Sequence, residues 1–209
     1  KSVKGLTWKL EQSCEKTVRG FCQKLQIEEV LARILYNRCI QDVESAASFL
    51  NPKLKTLLHD PFVLLDMDKA VKRVTHAINN QEKICIFGDY DVDGATSSAL
   101  IRRFLRAIGK ESGLYIPNRL FEGYGPSITA FQKLKEEGYK LVITVDCGTV
   151  SFEPLAYAAE NGLDVIVLDH HLGIEKLPPA HAVVNPNRMD ETFPFKSMAA
   201  VGVSFMFLI

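Results

Sequence analysis

Two hydrophobic periodicities divide the chain. Up to about residue 80, apolar residues recur at helical spacing, as Ile27, Val30, Leu31, Ile34 and Leu35 do within 27–40. Asp42 is placed to cap a second helix that runs to Leu50, where Asn51-Pro52 stops it. Asp66 is placed to cap a third, through Val71, Val74 and Ile78. From Lys83 the pattern changes to short unbroken apolar runs at 84–87, 141–145 and 165–168, with 115–116 a briefer strand candidate. Helical stretches separate them at 95–108, 127–137 and 153–161, and Gly138 and Gly162 stand where the last two should end.

Strands alternating with helices predict an α/β fold, a parallel β-sheet flanked by helices, carrying a helical N-terminal extension. Unbroken apolar runs suit strands buried on both faces. The best boundary lies in 52–61, which gives a helical extension over 1–60 and an α/β domain over 61–209. Parallel strands bring their C-terminal ends to one edge, where open α/β sheets bind ligands.

Composition adds limits. The 209 residues, 47% of them apolar, suffice for a real core. Lys+Arg and Asp+Glu are 25 each, so any contact with a polyanion must come from a local basic surface. Cys14, Cys22, Cys39, Cys85 and Cys147 form no C-x-x-C pair and are odd in number, as expected of reduced thiols in a cytoplasmic protein. There is no signal-peptide pattern and no apolar run near the ~20 residues that span a bilayer. The chain starts at Lys1 and stops inside the apolar run 201–209, as expected of a fragment of a longer polypeptide.

The chemistry gathers where strands end. Asp89-Tyr90-Asp91-Val92-Asp93-Gly94 follows the first strand. Three close carboxylates repel one another unless a divalent cation lies between them. Gly94 is expected to make a tight turn, and the helix beginning at Ala95, Thr96 and Ser97 to offer free N–H groups to a phosphate. Taken alone, the motif equally fits an acidic surface loop with a helix cap. An EF-hand is a poorer fit, because no preceding helix or twelfth-position glutamate is present. Asp146 ends the second long strand and Asp169-His170-His171 the third; singly, each fits a turn or a solvated loop. Jointly they bring carboxylates and imidazoles to one edge with no lysine or arginine among them. Such a donor set suits Mn²⁺ or Mg²⁺, or Fe or Zn. Two cations about 3.5–4 Å apart are the arrangement used for in-line attack on phosphate esters.

On these residues the sequence resembles the DHH phosphoesterase superfamily and, within it, the RecJ exonucleases. Gly88 to Gly94 is similar to the first family motif, Val145-Asp146-Cys147-Gly148 to the second, and Leu168-Asp169-His170-His171 to the third. Further similar stretches are Asp60-Pro61, 66–70, Pro117-Asn118-Arg119, Glu122-Gly123-Tyr124-Gly125, Val184-Asn185-Pro186-Asn187 and 199–203. The resemblance runs from about residue 50 to the end. It implies a two-metal, Mn²⁺- or Mg²⁺-dependent hydrolase that degrades single-stranded DNA from the 5′ end in recombination and repair. A helicase and a single-strand-binding protein are the partners it implies, with no membrane involved. By motif, Asp91, Asp93, Asp146 and His170 would be metal ligands, with Asp89 and His171 beside them in the catalytic group. Arg119 would clamp phosphate, with a surface salt bridge as the plain alternative. Tyr124 would stack a base or pack in a turn. Arg102, Arg103 and Arg106 would offer DNA a positive face or simply a solvated one.

The family pattern also contains a fourth aspartate, a closing second domain and an oligonucleotide-binding domain, none of which lies within these residues. The metal site is therefore expected to be incomplete, and the isolated chain to bind metal weakly or to show no activity. Two rivals share the motifs: a DHH phosphodiesterase of short oligoribonucleotides or cyclic dinucleotides, and a non-catalytic DHH scaffold. The blocks at 119–125 and 185–187 with the helical N-terminal segment speak against the first, and the intact acidic and histidine residues against the second.

Overall fold

The first strand, β1 (Ile84–Gly88), is buried along its whole length, and so is β3 (Leu141–Val145). This is what an apolar run without alternation requires, since side chains on both faces of the sheet meet helices. A computed structural model describes residues 2–7, 9 and 12–209. The sheet adds β2 (Gly113–Tyr115), β4 (Asp164–Leu168) and β5 (Ala182–Val184), all parallel, in the order β2-β1-β3-β4-β5. That order reverses between β1 and β3, so the crevice at their C-terminal ends is the position at which such sheets bind ligands.

Helices α5 (Met67–Asn79), α6 (Val92–Ala107) and α9 (Ala200–Leu208) cover one face, and α7 (Ile128–Glu136) and α8 (Phe152–Glu160) the other. Ile84, Ile86, Ile143 and Ile166 point into the first layer, and Cys85, Phe87, Val142 and Val167 into the second. The chain divides into two compact units, residues 1–59 and 60–209. The smaller unit holds α1 (Glu15–Leu25), α2 (Glu29–Asn37), α3 (Val43–Leu50) and the single turn α4 (Leu54–Leu57). Val18, Phe21, Ala32, Leu35 and Ala46 form its core. All five cysteines are free. Among the described residues, no helix is long and apolar enough to cross a membrane.

Asp42 caps α3 as expected, accepting from the Ser45 N–H at 2.7 Å. Asp66 does not cap α5. It sits at the N-cap position with φ 60°, and its carboxylate accepts instead from the Val183 N–H (3.2 Å) and from Arg188 (3.0 Å). A charged tertiary partner has outcompeted the local one. The apolar pattern also gave no sign of α1, which buries only Val18 and Phe21 of its 11 residues, or of β5, which is fully buried but only three residues long.

Candidate metal centre

Asp91 is the N-cap of α6, which begins three residues earlier than the apolar pattern predicts. Its Oδ1 accepts from the Asp93 and Gly94 N–H groups at 3.0 Å each, and the hydrogen bond from Gly94 holds this carboxyl below the ordinary range. The first free donors of the helix are thus engaged by Asp91 rather than open to a phosphate. Gly94 lies inside the helix and makes no turn. A Cβ there would stand 2.4 Å from the Asp89 carbonyl oxygen, so the glycine is what lets the helix press against the loop. Thr96 turns its hydroxyl onto the Val92 carbonyl at 2.6 Å, and Ser97 is fully buried. Because the helix starts at Val92, the N–H groups of Thr96 and Ser97 fall past its first four residues and are not the free donors expected.

Asp146 follows β3 in the left-handed region, φ 61°, a conformation Asp tolerates better than most residues. It is 2% exposed. Burial, then the adjoining carboxyl of Asp91, pushes its pKa up to about 7. Asp89, also buried, is raised by desolvation and by the charge of Asp91. Ligand atoms of Asp89, Asp91 and Asp146 all lie within 4.8 Å of one another, and so do those of Asp146, His170 and His171. Asp146 belongs to both groups. Its Oδ1 stands 3.2 Å from His170 Nε2 yet is buried without a properly directed hydrogen bond. Asp93 is more distant, 3.9 Å from His170 Nε2.

Both imidazoles are oriented from behind. His170 Nδ1 lies 3.2 Å from the Met198 carbonyl oxygen, and His171 Nδ1 lies 2.7 Å from Asp169 Oδ1. An acceptor at Nδ1 holds the proton there and leaves the Nε2 lone pair for the carboxylate side, as metal-ligating histidines require. Burial would raise Asp169, but hydrogen bonds from His171 and Thr149 overcome it and bring it to about 2. Its backbone partners are the N–H groups of His170 (2.7 Å), His171 (3.2 Å) and Thr149 (3.0 Å). Fully buried Asn185 donates to Thr149 Oγ1 (2.8 Å) and the His171 carbonyl (2.9 Å), and Asn187 donates to the His170 carbonyl. Sequence reasoning placed Asp169 at the rim without its task of orienting His171, and gave Thr149, Asn185 and Asn187 no role. The only signal was their place beside or within the quoted motifs.

The ion-pair contacts of Asp93, Asp146 and Asp169 are all to histidine. Oxygen donors with two prepared imidazole nitrogens, one oxygen buried and unbonded, fit a divalent cation of the Mn²⁺ or Mg²⁺ kind. Arg119 is exposed and stacks on Tyr90, its Cζ 4.9 Å from the ring centroid. Tyr124 donates its hydroxyl to the Asp146 carbonyl at 3.0 Å, leaves half its surface exposed, and meets the His171 ring edge-on. Both side chains therefore border the centre.

The DHH family, N-terminal domain, matches residues 83–209. The single-stranded-DNA-specific exonuclease RecJ of Bacillus subtilis (strain 168) is 40% identical over 200 residues, 96% of this chain and 25% of the relative. A crystal structure of exonuclease RecJ bound to manganese has a TM-score of 0.63 at 35% identity, covering 69% of this chain and 37% of that one. RecJ in complex with Mn²⁺ from Thermus thermophilus has a TM-score of 0.72 at 27% identity, covering 95% of this chain and 27% of that one. The chain spans about a quarter of the length of the curated relative.

Proposed function

The chain belongs to the DHH family, and from that premise we propose that it forms the metal-binding part of an exonuclease acting on single-stranded DNA from the 5′ end in recombination and repair. The observation that carries this reading is Asp146. One buried carboxylate is shared by an acidic cluster and a histidine cluster, and its ion-pair contact among the described residues is to imidazole.

In this reading Asp91, Asp93, Asp146 and His170 hold Mn²⁺ or Mg²⁺, with Asp89 and His171 against them. The bound cations supply positive charge for in-line displacement at phosphorus. Asp169 fixes the ring and tautomer of His171, and the Met198 carbonyl does the same for His170. Arg119, braced on Tyr90, holds phosphate oxygens with its planar fork. The exposed half of the Tyr124 ring stacks a base, while its hydroxyl fastens the loop to Asp146. Residues 61–209 act as the DHH domain and 1–60 as a helical extension. The protein works in the cytoplasm beside a helicase and a single-strand-binding protein.

The test uses the complete polypeptide that contains this chain. With Mn²⁺ it should degrade a long 5′-phosphorylated single strand far faster than a duplex or a dinucleotide. Cleavage of the dinucleotide alone would replace this reading with a short-oligonucleotide phosphodiesterase. Full activity in Asp91→Ala would remove the metal centre from the account.

A further inference from the structure

Far from the metal centre, the C-terminal half of α6 carries a second concentration of charge, of the opposite sign. Arg102 and Arg103 are exposed in the last two turns of α6, Arg106 stands at i+4 and i+3 from them, and Lys110 continues the i+4 line past the end of the helix. With Glu111 and Ser112 they line a hollow of about 340 Å³. An ordinary solvated basic face is the plain reading, and Arg106 in the last turn also suits the helix dipole. Two observations go past it. The buried or bridging arginines of this chain, Arg33, Arg73 and Arg188, each meet two carboxylates. By contrast Arg102, Arg103, Arg106 and Lys110 have no carboxylate within 4.0 Å among the described residues, although Glu111 lines the same hollow. The hydroxyl of Ser112 is buried at this hollow with no hydrogen-bond partner.

Three unpaired guanidinium forks around a concave surface match the oxygens of phosphodiesters. Concentrating four cations in a chain of zero net charge also gives a local field that the whole molecule lacks. The same helix carries Asp91 and Asp93 at its other end. At 1.5 Å per residue the arginines stand roughly 16–22 Å along it from Asp91. We propose that this face of α6 binds the phosphodiester backbone of the single strand at a distance from the scissile bond, so that long strands are held by contacts short ones cannot reach. The proposal rests on the exonuclease reading above. It assigns the arginines to grip on the strand and none of them to the chemistry.

The test is strand binding by the complete protein carrying Arg102→Gln, Arg103→Gln and Arg106→Gln together, measured with Ca²⁺ in place of Mn²⁺ so that no hydrolysis is needed. Affinity for a long single strand should fall at least ~10-fold near 0.1 M salt. The slope of log affinity against log salt should drop by about 2, at ~0.7 per lost phosphate contact on a single strand. Hydrolysis of a dinucleotide with Mn²⁺ should be unchanged, and the lysine triple variant should recover most of the affinity. An unchanged slope overturns the proposal, including the case in which the variant loses binding of an acidic peptide instead. Equal loss on long and short substrates overturns it too, since the effect would then pass through the fold or the metal centre. A wild-type protein that binds no single strand sinks the exonuclease reading itself.

Discussion

The α/β unit gathers charged groups in two places and settles them in opposite ways. Beside α5 and at the start of β4, Arg73 meets Glu82 and Asp164 at 2.7 and 2.6 Å. Arg188 meets Asp66 and Asp190 at 3.0 and 2.7 Å and also donates to the Val183 carbonyl. At the rim after β1, β3 and β4, the carboxyls of Asp89, Asp91 and Asp146 crowd together, with an imidazole at ion-pair distance of Asp146 and the Arg119 charge offsetting only part of the rise at Asp89. The first arrangement is complete in itself and fastens elements together. The second leaves repulsion and desolvation only partly compensated in the protein alone, which raises Asp89 and takes Asp146 to about 7. Charge left unsettled inside a preformed crevice marks a place for a cation.

Substitutions should separate the two regions. Asp146→Ala should lower Mn²⁺-dependent hydrolysis by the complete protein more than ~100-fold, beyond the 10–100-fold typical of outer-shell partners. Its thermal stability in a chelator should not fall. Arg188→Ala should do the reverse and destabilise by about 2 kcal/mol, because it leaves the partly buried Asp66 carboxylate and the Val183 carbonyl without their donor, while exposed Asp190 is screened by solvent. Denaturant unfolding would show it, and Mn²⁺ affinity should change little. Asp169→Asn keeps the shape but weakens the bond that fixes His171, so Mn²⁺ affinity should fall about 10-fold or more. Calorimetric titration reads that loss.

The smallest effect is one of pH. Folded, metal-free Asp146 titrates near 7, whereas in an unfolded chain an aspartate titrates near ~3.9. Between about pH 4 and 7 the folded state therefore binds the extra proton, and stability falls as pH rises. Asp190 runs the other way. The hydrogen bonds from Arg188 hold it below the ordinary range, so its contribution is lost as pH falls below about 4. Melting temperatures in a chelator at pH 5 and pH 7 should show the first trend, and Asp146→Asn should flatten it.

What the sequence disclosed follows the same division. Strands buried on both faces announce themselves as unbroken apolar runs, so β1, β3 and β4 were legible, and with them the edge at which the acids and histidines meet. Asp42 was legible as a cap because its partner, the Ser45 N–H, lies three residues away. Asp66 was not, because its partners lie across the fold at Val183 and Arg188. For the same reason Asn185 could be quoted from a motif but given no task. Its bonds to Thr149 and His171 exist only once β3, β4 and β5 are side by side. Ser97 was read as part of the first turn of α6, but the helix starts three residues earlier and its side chain is buried.

The most direct measurement is the anomalous density of a manganese-soaked crystal. Divalent density should lie among Asp91, Asp93, Asp146 and His170, beside Asp89 and His171, with Asp146 touching it. Manganese absent from that rim at saturating concentration, or held only elsewhere on the molecule, would contradict the account.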